Sequence, residues 1–210
     1  MTLREQNERL VEHLIAVEVL KTPRIIKAFK KVQRHLFVRE DLLMHAYDDM
    51  PLPTFHGQTI SQPYTVAIMT EALDPKPGEK VLEIGSGSGY QAALLGCCVG
   101  SKGKVITVEL DSYLVEFSKK NIKKAKIKNI KVICWDGKKG YEKKAPYDKC
   151  IITAACPEIP KPVIEQIKIG GRIVAPVNHF FGQRMMVVDK ISEKEFKKKD
   201  LGSFIFVPLR

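Results

Sequence analysis

The sequence predicts an α/β fold: a doubly wound, mostly parallel sheet with helices on both faces, an antiparallel strand tail at the C-terminus and a helical extension at the N-terminus. Three observations carry this expectation. From Lys80 to Val177 short apolar, strand-like runs alternate with helical patterns, which implies right-handed crossovers and a parallel sheet covered on both sides. The first of these runs, Val81-Leu82-Glu83-Ile84, ends in the glycine turn Gly85-Ser86-Gly87-Ser88-Gly89, where sheets of this kind take their ligands. Beyond Val177 the gaps between strand-like runs are too short for a crossover helix, so consecutive strands there should pair antiparallel.

The elements follow in order. Arg9 to Leu20 has helical periodicity, and a second helix starts at Thr22-Pro23, an N-cap followed by proline at the first helical position. Pro51 and Pro53 exclude regular helix and make Asp48 to Pro53 an extended connection that delivers Gln58 to Ser61. A helix over Tyr64 to Leu73 precedes the turn Asp74-Pro75-Lys76-Pro77-Gly78. Strands are expected at Lys80–Ile84, Lys104–Glu109, Ile130–Trp135 and Lys149–Thr153, with helices after the first, second and fourth. The last of these helices runs over Pro157 to Ile169 and leads into a fifth strand, Gly171 to Val177. Two further strands, near Arg184 to Lys190 and Ser203 to Pro208, form the tail, and Lys197-Lys198-Lys199 falls in the loop between them. The whole reads as a single domain over 1–210: a helical and loop region at 1–60, an α/β core at 61–177 and a strand tail at 178–210.

Composition narrows the class. A chain of 210 residues can bury a core without disulfides or structural metal. Its N-terminus lacks the apolar stretch of a signal peptide, and no apolar run approaches the ~20 residues of a membrane span. A monomeric cytoplasmic protein with no membrane partner is expected. The cysteines (Cys97, Cys98, Cys134, Cys150, Cys156) form no Cys-x-x-Cys pair and do not sit with histidines at metal-ligand spacing, so no metal site is expected. Most lie in apolar stretches and read as buried thiols, with a reactive Cys156 as the less favoured alternative. Of the scattered histidines only His56 occupies a suggestive place. The net charge of +11 would suit an acidic partner. Its lysines, however, collect at Lys119 to Lys128, where a helix should end and cations are favoured, and no arginine–aromatic interleaving suits base stacking. No specific nucleic acid is expected.

Gly85 and Gly87 allow a tight turn and close backbone approach to a ligand, and the following helix presents its N-terminal amides. A dinucleotide fingerprint would need glycine at position 90, which is Tyr90. The Gly-x-Gly-x-Gly turn, with Glu83 before it, instead resembles the first motif of the seven-stranded S-adenosylmethionine-dependent methyltransferases, and with it a Rossmann-like sheet. That resemblance makes Gly85, Ser86, Gly87 and Gly89 the cofactor turn. Glu109-Leu110 closes the second strand, where a carboxylate can accept from both ribose hydroxyls. Asp136-Gly137 follows the third strand, where this class places an acid near the adenine amino group; an ordinary Asp-Gly turn is the alternative. Trp135 beside it reads as core.

A second stretch narrows the reaction. Leu52-Pro53, Gly57-Gln58-Thr59-Ile60-Ser61-Gln62-Pro63-Tyr64 and the glycine turn resemble the protein-L-isoaspartate O-methyltransferase family. The likeness continues through Asp136-Gly137, Ala145-Pro146-Tyr147-Asp148, Thr153-Ala154-Ala155, Pro157-Glu158-Ile159-Pro160, Gly170-Gly171 and Phe206-Val207-Pro208-Leu209. It implies methyl transfer from S-adenosyl-L-methionine to the α-carboxylate of L-isoaspartyl residues in damaged proteins and peptides, with S-adenosyl-L-homocysteine as product. The ester then re-forms a succinimide, which initiates repair. It also implies that Ser61 is the active-site residue and that Gln58, Thr59 and Ile60 line the cofactor pocket. A carboxylate acceptor is ionised at neutral pH and needs no strong base, so Ser61 is expected to orient it rather than act as a nucleophile.

The chain departs from the family where Ile-Gly-x is replaced by Thr54-Phe55-His56. If that glycine requires positive φ, Phe55 should be strained. Asn178, where glycine is common, is better tolerated. Two alternatives remain at this level: a cofactor-binding homologue with lost or altered activity, and an RNA methyltransferase, which the basic charge favours and the lack of an Asn/Asp-Pro-Pro-aromatic motif opposes.

Overall fold

A computed structural model describes residues 1–210. Helix α1 (Leu3–Ala16) starts at a capping box: the Thr2 hydroxyl accepts from the Glu5 amide and the Glu5 carboxylate accepts from the Thr2 amide. Helix α2 (Pro23–Lys31) begins at the expected Thr22-Pro23 step. Thr22 donates both its amide and its hydroxyl to the Glu71 carboxylate, at 2.9 and 2.7 Å. The extension is thereby tied to helix α3 (Pro63–Leu73), which carries Glu71. Between them, 3-10 turns at Arg34–Phe37 and Glu40–His45 lead to an antiparallel ribbon of β1 (Leu52–Pro53) and β2 (Thr59–Ile60).

The main sheet holds β3 (Lys80–Ile84), β4 (Lys104–Glu109), β5 (Ile130–Cys134), β6 (Tyr147–Ile152), β7 (Ile167–His179), β8 (Gly182–Lys190) and β9 (Phe196–Phe204), in spatial order β5-β4-β3-β6-β7-β8-β9. β3 to β7 are parallel, and β8 and β9 add antiparallel. The chain steps outward from β3 to β5 and then returns to the other side of β3, so the order reverses between β3 and β6. A ligand crevice is expected outside the carboxyl ends of those strands.

Helices lie on both faces, unequally. Helices α4 (Tyr90–Val99) and α5 (Ser112–Lys124) follow β3 and β4. Val81, Val105, Ile151 and Val174 share one core with α1 to α4 and with Ile122 of α5. Within it Tyr90 packs against Phe29 and Phe37, ring centroids 6.4 and 5.5 Å away. Leu82, Ile84, Ile106 and Ile152 face a smaller core, covered by Val163 of the short α6 (Lys161–Glu165) and flanking turns.

Two expectations need correction. The helix over Pro157 to Ile169 is five residues long, because the backbone bends at Pro157–Glu158 and is extended at Pro160 (φ −59°, ψ 132°) before it enters the helix at Lys161. β7 then begins early, at Ile167, and is interrupted by a register shift opposite Tyr147 and Lys149, with Gly170 at φ 80°. The last strand is Phe196–Phe204 rather than Ser203–Pro208. Lys197, Lys198 and Lys199 sit within it, opposite Asp189, Val188 and Val187. Lysine on an edge strand leaves backbone pairing intact and discourages pairing with a further chain, so a charge run that reads as a loop is compatible with a strand. Residues 205–210 leave the sheet and cross back to Ala155.

Candidate active site

The glycine turn is built by the β3–α4 junction. Gly85, Gly87 and Gly89 all have positive φ, at 92°, 49° and 88°, which glycine adopts without steric cost. Gly85 is also a close approach: a Cβ there would lie 2.5 Å from the Thr153 Oγ1. Thr153, just past β6, donates its hydroxyl to the Gly85 carbonyl at 2.7 Å and its amide to the Ile84 carbonyl at 3.0 Å. The turn is thus fixed at the point where the strand order reverses.

The end of β4 fixes it from the other side. Glu109 accepts from the Gly87 amide at 3.0 Å and from the Asp111 amide at 3.1 Å. Each carboxylate oxygen retains acceptor capacity. A cavity of about 230 Å³ opens here, lined by Gly85, Gly87, Glu109, Leu110, Gly137, Gln58 and Thr59 among the expected residues. A second, smaller cavity of about 50 Å³ adjoins it and is lined by Thr59, Ile60, Ser61, Gly85, Ser86 and Gly87 among others. The structure therefore brings the Gln58–Ser61 stretch and the glycine turn around one space.

Ser61 is held through its backbone. Its carbonyl accepts from the Arg34 Nη2 at 3.0 Å, and Arg34 has no exposed surface. Asp49 caps the start of α3, accepting from the Tyr64 amide at 2.8 Å and from the Gln62 side chain at 3.3 Å.

Three expected residues line neither cavity. Glu83 is fully buried under the turn with both carboxyl oxygens lacking a hydrogen-bond partner, and its burial pushes the pKa up to about 8, with the Glu109 charge adding to the rise. Gly89 packs on α5, where a Cβ would lie 3.1 Å from Ile122 and 3.2 Å from Ser118. Asp136 turns its side chain to the Lys138 amide at 3.0 Å, capping the 3-10 turn Gly137–Lys139. Trp135 is not core: it is 39% exposed and meets Tyr141 edge-on at 5.8 Å. Cys156 is buried, donates to the Pro176 carbonyl and has its thiol pushed up to about 11 by burial, which removes it as a nucleophile.

Other residues reach the site without having been singled out for it. Val207 to Arg210 line the larger cavity, because the Ala155 amide donates to the Val207 carbonyl and the Leu209 amide to the Ala155 carbonyl, both at 2.8 Å. Asp111 lines it as well and meets His56 Nδ1 at 2.5 Å. The strain anticipated at Phe55 falls on His56, which has φ 53° beside Gly57 at φ 73°.

The donor set suits a nucleoside joined to an amino acid: backbone amides at a helix N-terminus, a carboxylate at a strand end, apolar walls from Leu110 and Val207, and a glycine turn in which a side chain at Gly85 would strike Thr153. Comparison with known proteins agrees. The model of the family described as protein-L-isoaspartate(D-aspartate) O-methyltransferase matches residues 5–210. The chain is 46% identical over 207 residues to a protein-L-isoaspartate O-methyltransferase of Methanopyrus kandleri, covering 98% of this chain and 92% of that one. Identity is 48% over 206 residues to protein-L-isoaspartate O-methyltransferase 2 of Archaeoglobus fulgidus, covering 98% and 93%. A Plasmodium falciparum protein assigned to the same activity, crystallised with S-adenosyl-L-homocysteine, superposes with a TM-score of 0.87 at 25% identity, covering 97% of this chain and 98% of that one. The chain belongs to the protein-L-isoaspartate(D-aspartate) O-methyltransferase family.

Proposed function

We propose that this protein transfers a methyl group from S-adenosyl-L-methionine to the α-carboxylate of L-isoaspartyl residues in damaged proteins and peptides. The observation that carries the reading is the convergence of Gln58–Ser61 and the Gly85–Gly87 turn on adjoining cavities, joined to a family match over residues 5–210. The sulfonium supplies an already reactive methyl group, so the acceptor oxygen forms its bond to carbon as the carbon–sulfur bond breaks and no proton need move.

The chain's own task is to bind, orient and exclude water. Gly85, Ser86 and Gly87 offer backbone to the cofactor, Glu109 its free acceptor positions, and Gly137 and Leu110 an apolar wall. Gln58, Thr59 and Ile60 close the opposite side. Glu83 and Gly89 act through the turn they support, and Asp136 through the turn that carries Gly137. Ser61 donates to one oxygen of the acceptor carboxylate and turns the other toward the methyl carbon. Residues 1–60 and 178–210 form the walls on which substrate is presented to the core at 61–177. Five free cysteines suit a reducing compartment, and we take the protein to work as a cytoplasmic monomer.

The test is incubation with radiolabelled S-adenosyl-L-methionine and either an isoaspartyl peptide or its aspartyl isomer. Base-labile methyl ester on the isoaspartyl peptide alone is expected. Equal labelling of both peptides would overturn the substrate assignment. Cofactor binding without turnover on several isoaspartyl peptides would leave a binding homologue.

A further inference from the structure

The segment Thr54-Phe55-His56 is fastened to the first turns of α5. The Gln58 amide donates to the Phe55 carbonyl at 3.0 Å, enclosing His56 and Gly57 at φ 53° and 73°. Positive φ at both central residues is the signature of a type I′ hairpin turn, and here the turn joins β1 to β2. Glycine enters that region freely; histidine does so at a cost, so its side chain must be held.

Contacts from both His56 and Phe55 hold the turn. His56 Nδ1 lies 2.5 Å from Asp111 Oδ2; an ionised carboxylate only accepts, so the imidazole donates. That hydrogen bond is the main reason the Asp111 carboxyl sits below its ordinary range. Phe55 inserts its ring edge-on against Tyr113 at 4.8 Å and Phe117 at 5.0 Å, with the Arg39 guanidinium 5.5 Å from its centroid. Arg39 also donates to the Thr54 carbonyl at 3.2 Å.

Asp111 is at the same time the N-cap of α5, accepting from the Tyr113 and Leu114 amides at 2.8 and 3.3 Å, and part of the larger cavity's wall. The two sides of this contact therefore belong to two walls of one cavity. Gln58 and Thr59 stand on the loop side, and Glu109 to Asp111 on the strand side.

We propose that Phe55 and His56 are positioning residues that latch the 54–58 turn onto the N-terminus of α5, so that the loop wall and the β4 wall of the cavity stay closed around the cofactor. This rests on the methyltransferase reading above. The Phe55 side chain wedges against α5, and the neighbouring His56 supplies a hydrogen bond. Neither residue touches the reacting atoms in this assignment.

The test uses the full chain with S-adenosyl-L-homocysteine as probe in calorimetry. His56→Gly keeps the positive φ and deletes the imidazole, whereas His56→Asn tolerates the same backbone and retains a donor. Loss of one charge-assisted hydrogen bond should weaken binding by roughly tenfold in His56→Gly, raising KM for S-adenosyl-L-methionine more than it lowers kcat. His56→Asn should stay within about threefold of the unaltered protein. Amides of residues 54–58 should exchange faster in His56→Gly at an unchanged thermal midpoint. Unaltered affinity in His56→Gly, or equal losses in both variants, would overturn the latch alone. Failure of the unaltered protein to bind S-adenosyl-L-homocysteine would overturn the methyltransferase reading and the latch with it.

Discussion

Arg34 donates from Nη2 to the carbonyl of Ser61 at 3.0 Å from a side chain with no exposed surface. The same guanidinium reaches the Ala46 carbonyl at 2.8 Å and the Met50 carbonyl at 3.2 Å. Burial lowers its pKa, opposed by the nearby tyrosines Tyr90 and Tyr47 and by Asp48 and Asp49. One buried cation thus joins the loop before β1 to the loop before α3, with backbone carbonyls as its partners.

Arg34→Met should leave three carbonyls without their donor. The expected loss is about 2–4 kcal/mol of unfolding free energy, measured by urea titration. Arg34→Lys keeps the charge but cannot serve diverging carbonyls from a single ammonium, so its loss should be intermediate. Turnover should fall in both variants, because the Ser61 backbone is released.

Ser61→Ala separates orientation from binding. Ser61 lines the smaller cavity while its backbone is held by Arg34, so the loop should keep its course without the hydroxyl. A donor used to orient the acceptor should cost roughly 10–100-fold in kcat. Affinity for S-adenosyl-L-homocysteine should change less than about threefold by calorimetry. Unchanged turnover would remove Ser61 from the mechanism.

The α/β core was legible because its strands are short, apolar and separated by helical patterns: β3 and β4 fall at the expected residues, Lys80–Ile84 and Lys104–Glu109. Local pattern failed where a long-range partner decides the outcome. Lys197 to Lys199 become strand only because β8 offers them an edge, and Ile167 joins β7 because Tyr147 lies beside it. The same division holds at the site. The glycine turn and Ser61 are contiguous motifs, whereas His56 meets Asp111 across 55 residues and Arg34 meets Ser61 across 27, with no spacing that announces either pair. Val207 to Leu209 resemble the family in sequence, yet their place on the cavity wall depends on a bridge to Ala155.

Gly85→Ala tests the cradle. The new methyl group would meet Thr153 Oγ1 at 2.5 Å and occupy a backbone with φ 92°, and Thr153 cannot retreat without giving up its hydrogen bonds to Ile84 and Gly85. Strain at such a position is on the order of 1–3 kcal/mol, so the thermal midpoint should fall and S-adenosyl-L-homocysteine binding should weaken at least about tenfold. Adding Thr153→Ala removes the clash but not the positive φ, so the double variant should recover only part of the loss. Full recovery would place the whole effect in the clash.

Glu83 predicts a pH dependence of stability with a definite sign. Its side chain has no exposed surface, both oxygens lack hydrogen-bond partners, and its pKa is pushed up to about 8 by burial, with the Glu109 charge adding to the rise. In the unfolded chain the same group titrates near ~4.3. The folded state therefore binds the proton more tightly. Its contribution is fully present below that unfolded value and is lost as pH rises toward about 8, at about 1.4 kcal/mol per pH unit. Glu83→Gln keeps the shape without the ionisation, so its unfolding free energy should vary less across this window and exceed that of the unaltered protein at its alkaline end. Glu109→Gln removes a charge that adds to the rise, so the Glu83 pKa should drop and the fall should end at a lower pH. The discriminating result is the Glu83→Gln profile. Urea titrations at several pH values between 5 and 8 measure it directly, and parallel profiles for the two proteins would show that Glu83 ionises as readily when folded as when unfolded.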